Sequence, residues 1–272
     1  MNTPEQQSQK DLIRDRFTRT AEVFGEYAIA NRAQEVDLLA SMVAPRATDR
    51  AVDIACGPGT LALRFAPQVR WICGLDLTPA MLARAQRSVA EQNLRNLVFA
   101  IGDAQALPFP DASLDVAVTG YSLHHIPDPA RVVREMARVL RNGGRAGILD
   151  LQAPEDSKAA ELSNRIEKVR DPSHVRTLSR KEFHALFAAA GLQVLTSEPA
   201  EKLRSFDSWM HTAGWSRGDE VYAQTRRLLE ATIPGDTANL HPQYAPANDV
   251  INSGDTDINM VTTSILIAGE KM

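Results

Sequence analysis

The chain has 272 residues, of which 44% are hydrophobic and 24% charged, and its formal net charge is −4. These proportions are typical of a folded globular protein, and the length suits one α/β domain with an elaboration. Because nucleic-acid binding depends on clustered Lys and Arg, the acidic balance disfavours a nucleic-acid partner.

The chain begins with a polar segment followed by helices. Residues 1–10, MNTPEQQSQK, are polar and have no apolar periodicity, so we expect them to be disordered. They also contain no apolar segment of the kind found in secretory signals, so we expect no such signal here. From residue 11 to residue 43 apolar side chains recur at helical spacing, and Pro45 ends the pattern. We therefore predict an N-terminal helical cap over residues 1–45.

A regular alternation of strands and helices follows. Short apolar runs at residues 51–55, 71–75, 97–101, 114–119 and 145–151 are typical of buried parallel strands. The segments between them have helical period, and Pro79 and Pro129 each follow a capping residue, Thr78 and Asp128. This alternation predicts an open parallel sheet covered by helices on both faces, which forms a core over residues 46–200.

The last third of the chain departs from this alternation. Residues 193–198 look like a sixth strand, and residues 205–233 are aromatic and helical. A loop rich in Pro, Asn and Asp covers residues 234–257, and the β-branched run at residues 258–268 is typical of a strand. We therefore predict a helical insertion or lid over residues 201–257 and a last core strand over residues 258–272.

The cysteines and the apolar runs indicate the compartment. Cys56 and Cys73 lie in apolar, strand-like stretches without the spacing of metal ligands, so we expect no metal site and a reducing environment. Every apolar run is shorter than the ~18 residues of a membrane span. We therefore predict a cytoplasmic protein without membrane association.

The stretch AVDIACGPGT, residues 51–60, leaves the first strand through two glycines separated by a proline. Glycine lets a ligand come close to the backbone, and a strand followed by such a turn and a helix is typical of nucleotide-binding α/β folds. A dinucleotide site would need a third glycine and free N–H groups, but Pro58 has no N–H and Asp53 would repel a pyrophosphate. The turn therefore favours a ligand without a phosphate here and disfavours a nicotinamide-dependent oxidoreductase.

Four segments of the chain, in order, resemble the motifs of class I S-adenosylmethionine-dependent methyltransferases. They are VDIACGPGT, GLDLTPAML, GDAQALPF and, counted as the fourth, the two neighbouring stretches VTGYSLHHIPDP and EMARVLRNGGRAGILD. All of them lie within residues 51–151. The resemblance is to the methyltransferase type 11 branch, which includes quinone-biosynthesis and small-molecule enzymes. It implies an α/β, Rossmann-like fold with a seven-stranded, mostly parallel sheet whose last strand is antiparallel. It also implies S-adenosyl-L-methionine as the cofactor and S-adenosyl-L-homocysteine as its product.

The resemblance assigns roles to residues of the cofactor site. It implies that Asp76 accepts the ribose hydroxyls, that Asp103 bonds the adenine amino group, and that Asp53 orients the methionine end. The alternatives are a helix-start carboxylate for Asp76, a solvated turn residue for Asp103 and a satisfied strand-end carboxylate for Asp53. Met81 could touch the adenine, but a methionine at helical spacing is more often a core residue. The other cofactor contacts that the resemblance implies are Ala55, Gly57, Gly59, Leu77, Met81, Gly102, Ala104, Thr119, Tyr121 and His124.

The acceptor side has no comparable signature. Methyl transfer from a sulfonium needs alignment and exclusion of water, and it needs a base only if the acceptor carries a proton of high pKa. Because histidine titrates near neutrality, the candidate bases are His124, His125 and His174, and a capping or packing role is the alternative for the first two. Arg170 or Arg176 is expected to hold a carboxylate of the acceptor. The alternative is that an arginine pairs with an aspartate and fixes the loop. Phe24 and Tyr27 are expected to contact the acceptor.

These features predict an enzyme that moves a methyl group to O, N or C of a small molecule such as a natural product. One alternative is a protein of the same fold that binds the cofactor but catalyses another reaction. A second is an RNA or protein methyltransferase, which the net charge disfavours. Residues 119–122, TGYS, lack the N-P-P-[YF] pattern of nucleobase amino methylation, and the C-terminal pattern of the quinone enzymes is not recognisable. The acceptor stays open, and a homodimer is compatible with the sequence.

Overall fold

The structure of the chain, a computed structural model, describes residues 4–244 and 257–272. Its centre is a mostly parallel β-sheet. The five strands predicted for the parallel part are β1 (Arg50–Ile54), β2 (Trp71–Asp76), β3 (Leu97–Ile101), β4 (Leu114–Gly120) and β5 (Leu140–Leu151). The sheet is completed by β6 (Leu192–Ser205), the short β7 (Gln243–Tyr244) and β8 (Ile258–Lys271).

The strands are ordered β3-β2-β1-β4-β5-β8-β6, and β7 pairs with β8. β8 is antiparallel to both β5 and β6, which confirms the prediction of an antiparallel last strand. The order reverses at β1, since β2 lies on one side of it and β4 on the other. In open α/β sheets ligands bind beyond the carboxyl ends of the strands at such a switch point. The topology therefore places a binding cleft where β1, β2 and β4 end.

Helices cover both faces of the sheet, as predicted. One face packs against α2 (Ala33–Val43) and α3 (Thr60–Phe65), and α4 (Pro79–Gln92) continues this layer over β2 and β3. The other face packs against α5 (Pro129–Val139) and α7 (Arg180–Ala189), which bury Met136, Phe183 and Phe187. Burying a side chain of this size contributes about 2 kcal/mol, so the two apolar clusters hold the strand ends in place.

Local signals explain where α4 and α5 begin. Both helices have proline in the first turn, where its missing N–H is harmless. The Asp128 carboxylate caps α5 by accepting the Arg131 N–H at 2.9 Å. At α4 the Thr78 hydroxyl makes no capping bond, and the Asp76 carboxylate accepts the Thr78 N–H at 2.8 Å instead. The end of β2 is thereby tied to the start of α4.

The N-terminal segment forms α1 (Pro4–Asn31), so the prediction of disorder is wrong for residues 4–10. Gln9 donates to the carbonyl oxygens of Ser173 and His125 at 2.6 and 3.1 Å. Lys10 forms an ion pair with Asp103 at 2.6 Å. These partners are polar groups of distant segments, so apolar periodicity could not reveal them. Although α1 has 28 residues, no helix in the described ranges is long and apolar enough to cross a membrane.

The strand predicted at residues 193–198 continues in the structure to Ser205, because each residue from Glu198 onward pairs with β8. Pro199 is tolerated because β6 lies at the edge of the sheet. The predicted insertion therefore begins at residue 206, five residues later than expected. It contains α8 (Phe206–His211) and α9 (Glu220–Glu230), which pack with α6 (Ser157–Arg170) around Trp209. Half of the predicted loop, residues 245–256, lies outside the described residues.

Candidate active site

A cleft of about 1010 Å³ opens at the switch point of the sheet. Its floor is formed by the carboxyl ends of β1, β2 and β4, and α1 covers it with Lys10, Ile13 and Phe17. Most of the residues that the sequence assigns to the cofactor line this cleft. They are Asp53, Ala55, Gly57, Asp76, Leu77, Met81, Gly102, Asp103, Ala104 and Tyr121.

The turn after β1 has a left-handed backbone at three positions. Ala55 and Gly57 both have a φ of +52°, and Gly59 has a φ of +83°. A Cβ added to Gly57 would meet no atom within 4 Å, so this residue leaves open space in the cleft. A Cβ added to Gly59 would lie 3.2 Å from the Ala85 side chain of α4. Gly57 thus permits the approach of a ligand, whereas Gly59 permits the packing of α3 on α4 and does not line the cleft.

Asp53 lies at the end of β1 and is 1% exposed. One carboxyl oxygen accepts the Ala62 N–H at 2.8 Å, and the other is buried without a hydrogen-bond partner among the described residues. Burial raises the pKa of Asp53 to about 8, so the carboxyl group is largely protonated at neutral pH when no ligand is bound. A cationic group bound beside it would favour the ionised form.

Asp76 ends β2 and also faces the cleft. Its two oxygens accept the N–H groups of Gly57 and Thr78, both at 2.8 Å. Burial raises the pKa of Asp76, and these N–H groups oppose that rise. Because each carboxylate oxygen has a second lone pair, Asp76 keeps acceptor capacity toward the cleft. The geometry accommodates both the ribose role and the helix-start role.

Asp103 follows β3 next to the end of β2. One of its oxygens accepts the Gln105 N–H at 2.9 Å, and the other forms the ion pair with Lys10. A Cβ added to the preceding Gly102 would lie 2.5 Å from the Leu75 side chain, so a larger residue here would have to displace that side chain. Lys10 therefore fastens the first turns of α1 over this end of the cleft.

A second chamber of about 620 Å³ adjoins the cleft. Where it does not border the cleft, the chamber is lined by residues of α1, α6, α8, β6 and β8. Of the residues predicted to contact the acceptor, Phe24, Tyr27 and Arg170 line this chamber, and His124 lines it as well. The two spaces share Phe17, Phe24, Arg32, Tyr121 and His125.

Tyr121 and Arg32 stand at the junction of the two spaces. Tyr121 follows β4 with a φ of +52°, and its hydroxyl lies 3.1 Å from the Ser264 hydroxyl of β8. Non-glycine residues in this backbone region cluster at functional sites. The Arg32 guanidinium lies 3.8 Å from the centre of the Tyr121 ring and 4.9 Å from that of Phe24. These cation–π contacts fix the aromatic side chains of the junction.

His124 lines the second chamber and forms a buried dyad with Asp150, which lines neither space. His124 Nδ1 lies 2.5 Å from Asp150 Oδ1, and the other carboxylate oxygen accepts the Leu123 N–H at 2.7 Å. Because a carboxylate only accepts hydrogen bonds, Nδ1 carries the proton and Nε2 is the acceptor nitrogen of the ring. The dyad thus has the arrangement of a general base oriented by a carboxylate.

His125 faces both spaces but is only 7% exposed. Its Nδ1 lies 3.1 Å from the Ser173 carbonyl oxygen, to which it donates. Burial, together with the neighbouring His124, holds the pKa of His125 well below its ordinary value. This imidazole is therefore neutral at physiological pH and is a weaker base than an ordinary histidine.

His174, Arg176 and Thr119 line neither space. The buried His174 ring is bonded to an amide oxygen of α6 at 2.9 Å, and burial lowers its pKa to about 4. Arg176 pairs with Glu182 at 2.8 Å on the surface, where both side chains are about half exposed. The Thr119 hydroxyl is fully buried and donates to the backbone of β1. The structure does not bring these three residues to the site.

Several side chains of the site escape the sequence reasoning: Asp150, Lys10, Arg32, Lys202 and Arg204. Asp150 carries a usable signal, because an acidic residue at the end of the fifth predicted strand must lie at the ligand-binding edge of the sheet. Lys10 lies in the segment predicted to be disordered, and Lys202 and Arg204 lie beyond the end of the predicted sixth strand. Their positions depend on long-range packing that local patterns do not show.

Comparisons with known proteins agree with this geometry. Residues 52–148 match the family described as a methyltransferase domain. The uncharacterized methyltransferase YcgJ of Bacillus subtilis is 35% identical over 198 residues, which cover 73% of this chain and 78% of YcgJ. The crystal structure of YcgJ superposes with a TM-score of 0.77 over 88% of this chain and 98% of that one, at 32% identity.

A second relative is the 27-O-demethylrifamycin SV methyltransferase of Amycolatopsis mediterranei. It is 35% identical over 200 residues, which cover 72% of this chain and 71% of the relative. The motif order, the antiparallel last strand and the cleft at the switch point are all present in this chain. The chain is therefore an enzyme that belongs to the class I S-adenosylmethionine-dependent methyltransferases.

Proposed function

We propose that this enzyme binds S-adenosylmethionine in the cleft and methylates a hydroxyl group of a small molecule held in the second chamber. The observation that carries the proposal is the His124–Asp150 dyad, whose histidine lines that chamber while its carboxylate lies buried behind the ring. A hydroxyl group must lose a proton when its oxygen is methylated, and the dyad offers a base for that proton. The relative named for 27-O-demethylrifamycin SV supports an oxygen acceptor on a small molecule.

The residues of the cleft fit the proposed cofactor. The buried, unpartnered oxygen of Asp53 suits the cationic methionine end, and the open side of Gly57 leaves room for ligand atoms against the backbone. Asp76 has acceptor capacity for ribose hydroxyls, and Asp103 has it for an adenine amino group. All four residues line one cleft, which supports the roles that the sequence predicts for them.

S-adenosylmethionine supplies, when bound, a methyl group on a positively charged sulfonium. The chain has to align the acceptor with that methyl group and keep water away. Phe17 and Phe24 of α1 stack edge to face with ring centres 5.4 Å apart, and both line the junction of the two spaces. Together with Tyr121 they form an apolar passage that suits an aromatic acceptor.

His124 takes the proton of the acceptor hydroxyl at Nε2. Asp150 keeps Nδ1 protonated and compensates the positive charge that forms on the ring. His125 stays neutral beside it, because burial lowers its pKa, and so adds no second positive charge to the chamber. The two neighbouring histidines therefore have different roles, a base for His124 and a neutral wall for His125.

Calorimetric titration with S-adenosylmethionine and, separately, with NAD⁺ tests the cofactor. We expect micromolar affinity for S-adenosylmethionine, no binding of NAD⁺, and at least about tenfold weaker S-adenosylmethionine binding in Asp76→Ala. Asp37→Ala removes a half-exposed carboxylate of α2 and is the matched control, which should bind like the wild type. Binding of NAD⁺ alone, or unchanged affinity in Asp76→Ala, would contradict the assignment.

A panel of aromatic hydroxyl compounds and matched amines tests the acceptor atom, with release of S-adenosylhomocysteine and the product mass as readouts. For a hydroxyl compound that turns over, His124→Gln is expected to lower kcat by about 10²–10⁴-fold without changing the affinity for S-adenosylhomocysteine. His211→Gln alters an exposed histidine of α8 and serves as the control. Turnover of the amines alone would show that the acceptor atom is not oxygen.

A further inference from the structure

We infer that the second chamber binds a carboxylate of the acceptor against Arg204 and Lys202 of β6. This inference rests on the proposed function for the ligand's role as methyl acceptor. It adds the chemical class of that ligand, an aromatic hydroxyl compound that also carries an oxyanion.

The chamber has more cations than anions. Five cationic and two acidic side chains line it: Arg16, Arg32, Arg170, Lys202, Arg204, Glu35 and Asp171. Two of the cations are compensated, because Arg16 pairs with Asp171 at 2.9 Å and Arg170 pairs with Glu167 at 3.0 Å. Arg32, Lys202 and Arg204 form no ion pair with a carboxylate in the part of the chain that the structure describes. The chamber therefore has positive charge available for a ligand.

Arg204 is the residue with the most to gain from an anion. Its Nε is buried without a hydrogen-bond partner among the described residues, and its guanidinium lies 4.9 Å from the Tyr27 ring centre. Burial also lowers the pKa of Arg204 to about 10, as expected for a cation with too little compensation. An oxyanion would satisfy the Nε–H group and compensate the charge at once.

Lys202 lies on the same side of the chamber. Its Nζ donates to the carbonyl oxygen of Asn31 at the end of α1 and lies 5.7 Å from the Tyr27 ring centre. A carbonyl oxygen accepts one of the three ammonium protons and leaves the charge uncompensated. Lys202, Arg204 and the Tyr27 ring thus form a site for a carboxylate attached to an apolar body.

The register of the strands places this site away from the methyl-transfer junction. Tyr121 of the junction contacts Ser264 of β8, whereas Lys202 pairs with Thr262 and Arg204 with Met260. Ser264 and Met260 are four positions apart, which corresponds to about 13 Å along the strand. The carboxylate therefore belongs at the end of the acceptor remote from the reacting oxygen.

Glu35 supports a competing possibility. Its Oε2 is buried and has no partner among the described residues, so an amine on the ligand would satisfy it. Against this, Glu35 lines the chamber with three uncompensated cations, and the chamber as a whole is positive. An anionic acceptor is favoured, and a cationic probe is included in the test.

The test measures binding of three naphthols that differ only at the position remote from the hydroxyl group. They are 6-hydroxy-2-naphthoate, its methyl ester and the corresponding aminomethyl compound, each titrated calorimetrically with and without saturating S-adenosylhomocysteine. We expect the carboxylate to bind at least about tenfold more tightly than the ester, since a hydrogen bond to a charged carboxylate is stronger than one to a neutral ester. Arg204→Gln should reduce this preference to below about threefold, and Lys202→Gln should reduce it in part. Arg134→Gln changes an exposed arginine of α5 and should leave the preference intact.

Each outcome decides the proposal. Equal or undetectable binding of the acid and the ester, tighter binding of the amine, or an unchanged preference in Arg204→Gln overturns the carboxylate site. Affinity for S-adenosylhomocysteine is measured on every variant and should stay constant, which separates a lost site from a misfolded chain. A carboxylate preference that persists in a protein unable to bind S-adenosylhomocysteine would support the anion site and overturn the proposed function.

Discussion

A buried ion pair fastens α1 over the two ligand spaces, and its removal gives a sharp test of the structure. Arg16 of α1 and Asp171, which follows α6, lie 2.9 Å apart, and their side chains are 5% and 4% exposed. The Arg16 guanidinium also donates to the carbonyl oxygen of Thr212 at 2.9 Å, beside the end of α8. One side chain therefore joins the N-terminal helix to two distant segments, one that follows α6 and one that follows α8.

Asp171→Asn removes the negative charge but keeps an oxygen that can accept the hydrogen bonds from Ser173, which are now 3.0 and 2.6 Å long. The Arg16 guanidinium would then be buried without a counter-ion, which costs about 3–5 kcal/mol of the free energy of unfolding. The pair of Arg64 and Asp37 is the control, because its side chains are 49% and 54% exposed. Asp37→Asn should cost about 1 kcal/mol or less.

Urea denaturation of the two variants and the wild type measures both costs. Burial acts to raise the pKa of Asp171, but the positive charge beside it, with Arg16 in direct contact, holds that pKa below its ordinary value. A group with a lowered pKa stabilises the fold above its unfolded-state pKa, about 4, and this contribution disappears as the pH falls further. The difference between wild type and Asp171→Asn should therefore shrink below pH ~4. Equal costs for the two variants at neutral pH would refute the burial of this pair.

Three further predictions concern the glycine turn and the buried titratable groups. Gly59→Ala is expected to lower the free energy of unfolding by about 2 kcal/mol. The added Cβ of Gly57→Ala enters the open cleft, so this variant should lose less stability than Gly59→Ala but more affinity for S-adenosylmethionine. Denaturation measures the stability and calorimetry measures the affinity. Since burial raises the pKa of Asp53 to about 8, its stabilising contribution is complete below pH ~4 and is lost by pH ~8. Asp53→Asn should therefore gain stability relative to wild type by up to about 1.4 kcal/mol per pH unit in that window, and parallel pH profiles would contradict this. Burial lowers the pKa of His174 to about 4, so as the pH falls below ~6.5 this residue takes up a proton in the unfolded state before it does so in the folded state. The stability of the wild type should therefore fall between pH ~6.5 and pH ~4, and the slope should be shallower in His174→Gln.

Much of the fold and of the cofactor cleft could be predicted because the signals are local. Three examples are the Gly57 turn, the carboxylate of Asp76 at a strand end and the proline at the start of α4. Each of these signals lies within a few residues of the turn, strand end or helix start that it predicts. Parallel strands then bring these separate ends to one edge of the sheet by topology alone. No knowledge of side-chain packing is needed for this step.

The second chamber could not be predicted in the same way. His124 and Asp150 are 26 residues apart, and their contact depends on the register of β4 on β5. Arg170 and Arg176 look equivalent in the sequence, but helix packing turns one toward the chamber and leaves the other on the surface. The segment containing Lys10 is polar because its partners are polar groups of distant loops, and composition alone cannot distinguish this from disorder.

The residues proposed here for the cofactor and those proposed for the acceptor's carboxylate lie in different parts of the chain. The methyltransferase-domain match spans residues 52–148 and contains the strand ends that line the cleft, whereas Tyr27, Lys202 and Arg204 lie outside it. The dyad bridges the two parts, since His124 lies within the match and Asp150 lies just beyond its end. Substitutions on β6 should therefore change which acceptor binds and leave kcat for a neutral acceptor intact. Substitutions of the dyad should instead change kcat and leave the preference for a carboxylate intact. Measuring both quantities on Arg204→Gln and His124→Gln would show whether recognition and proton removal are as separate in function as they are along the chain.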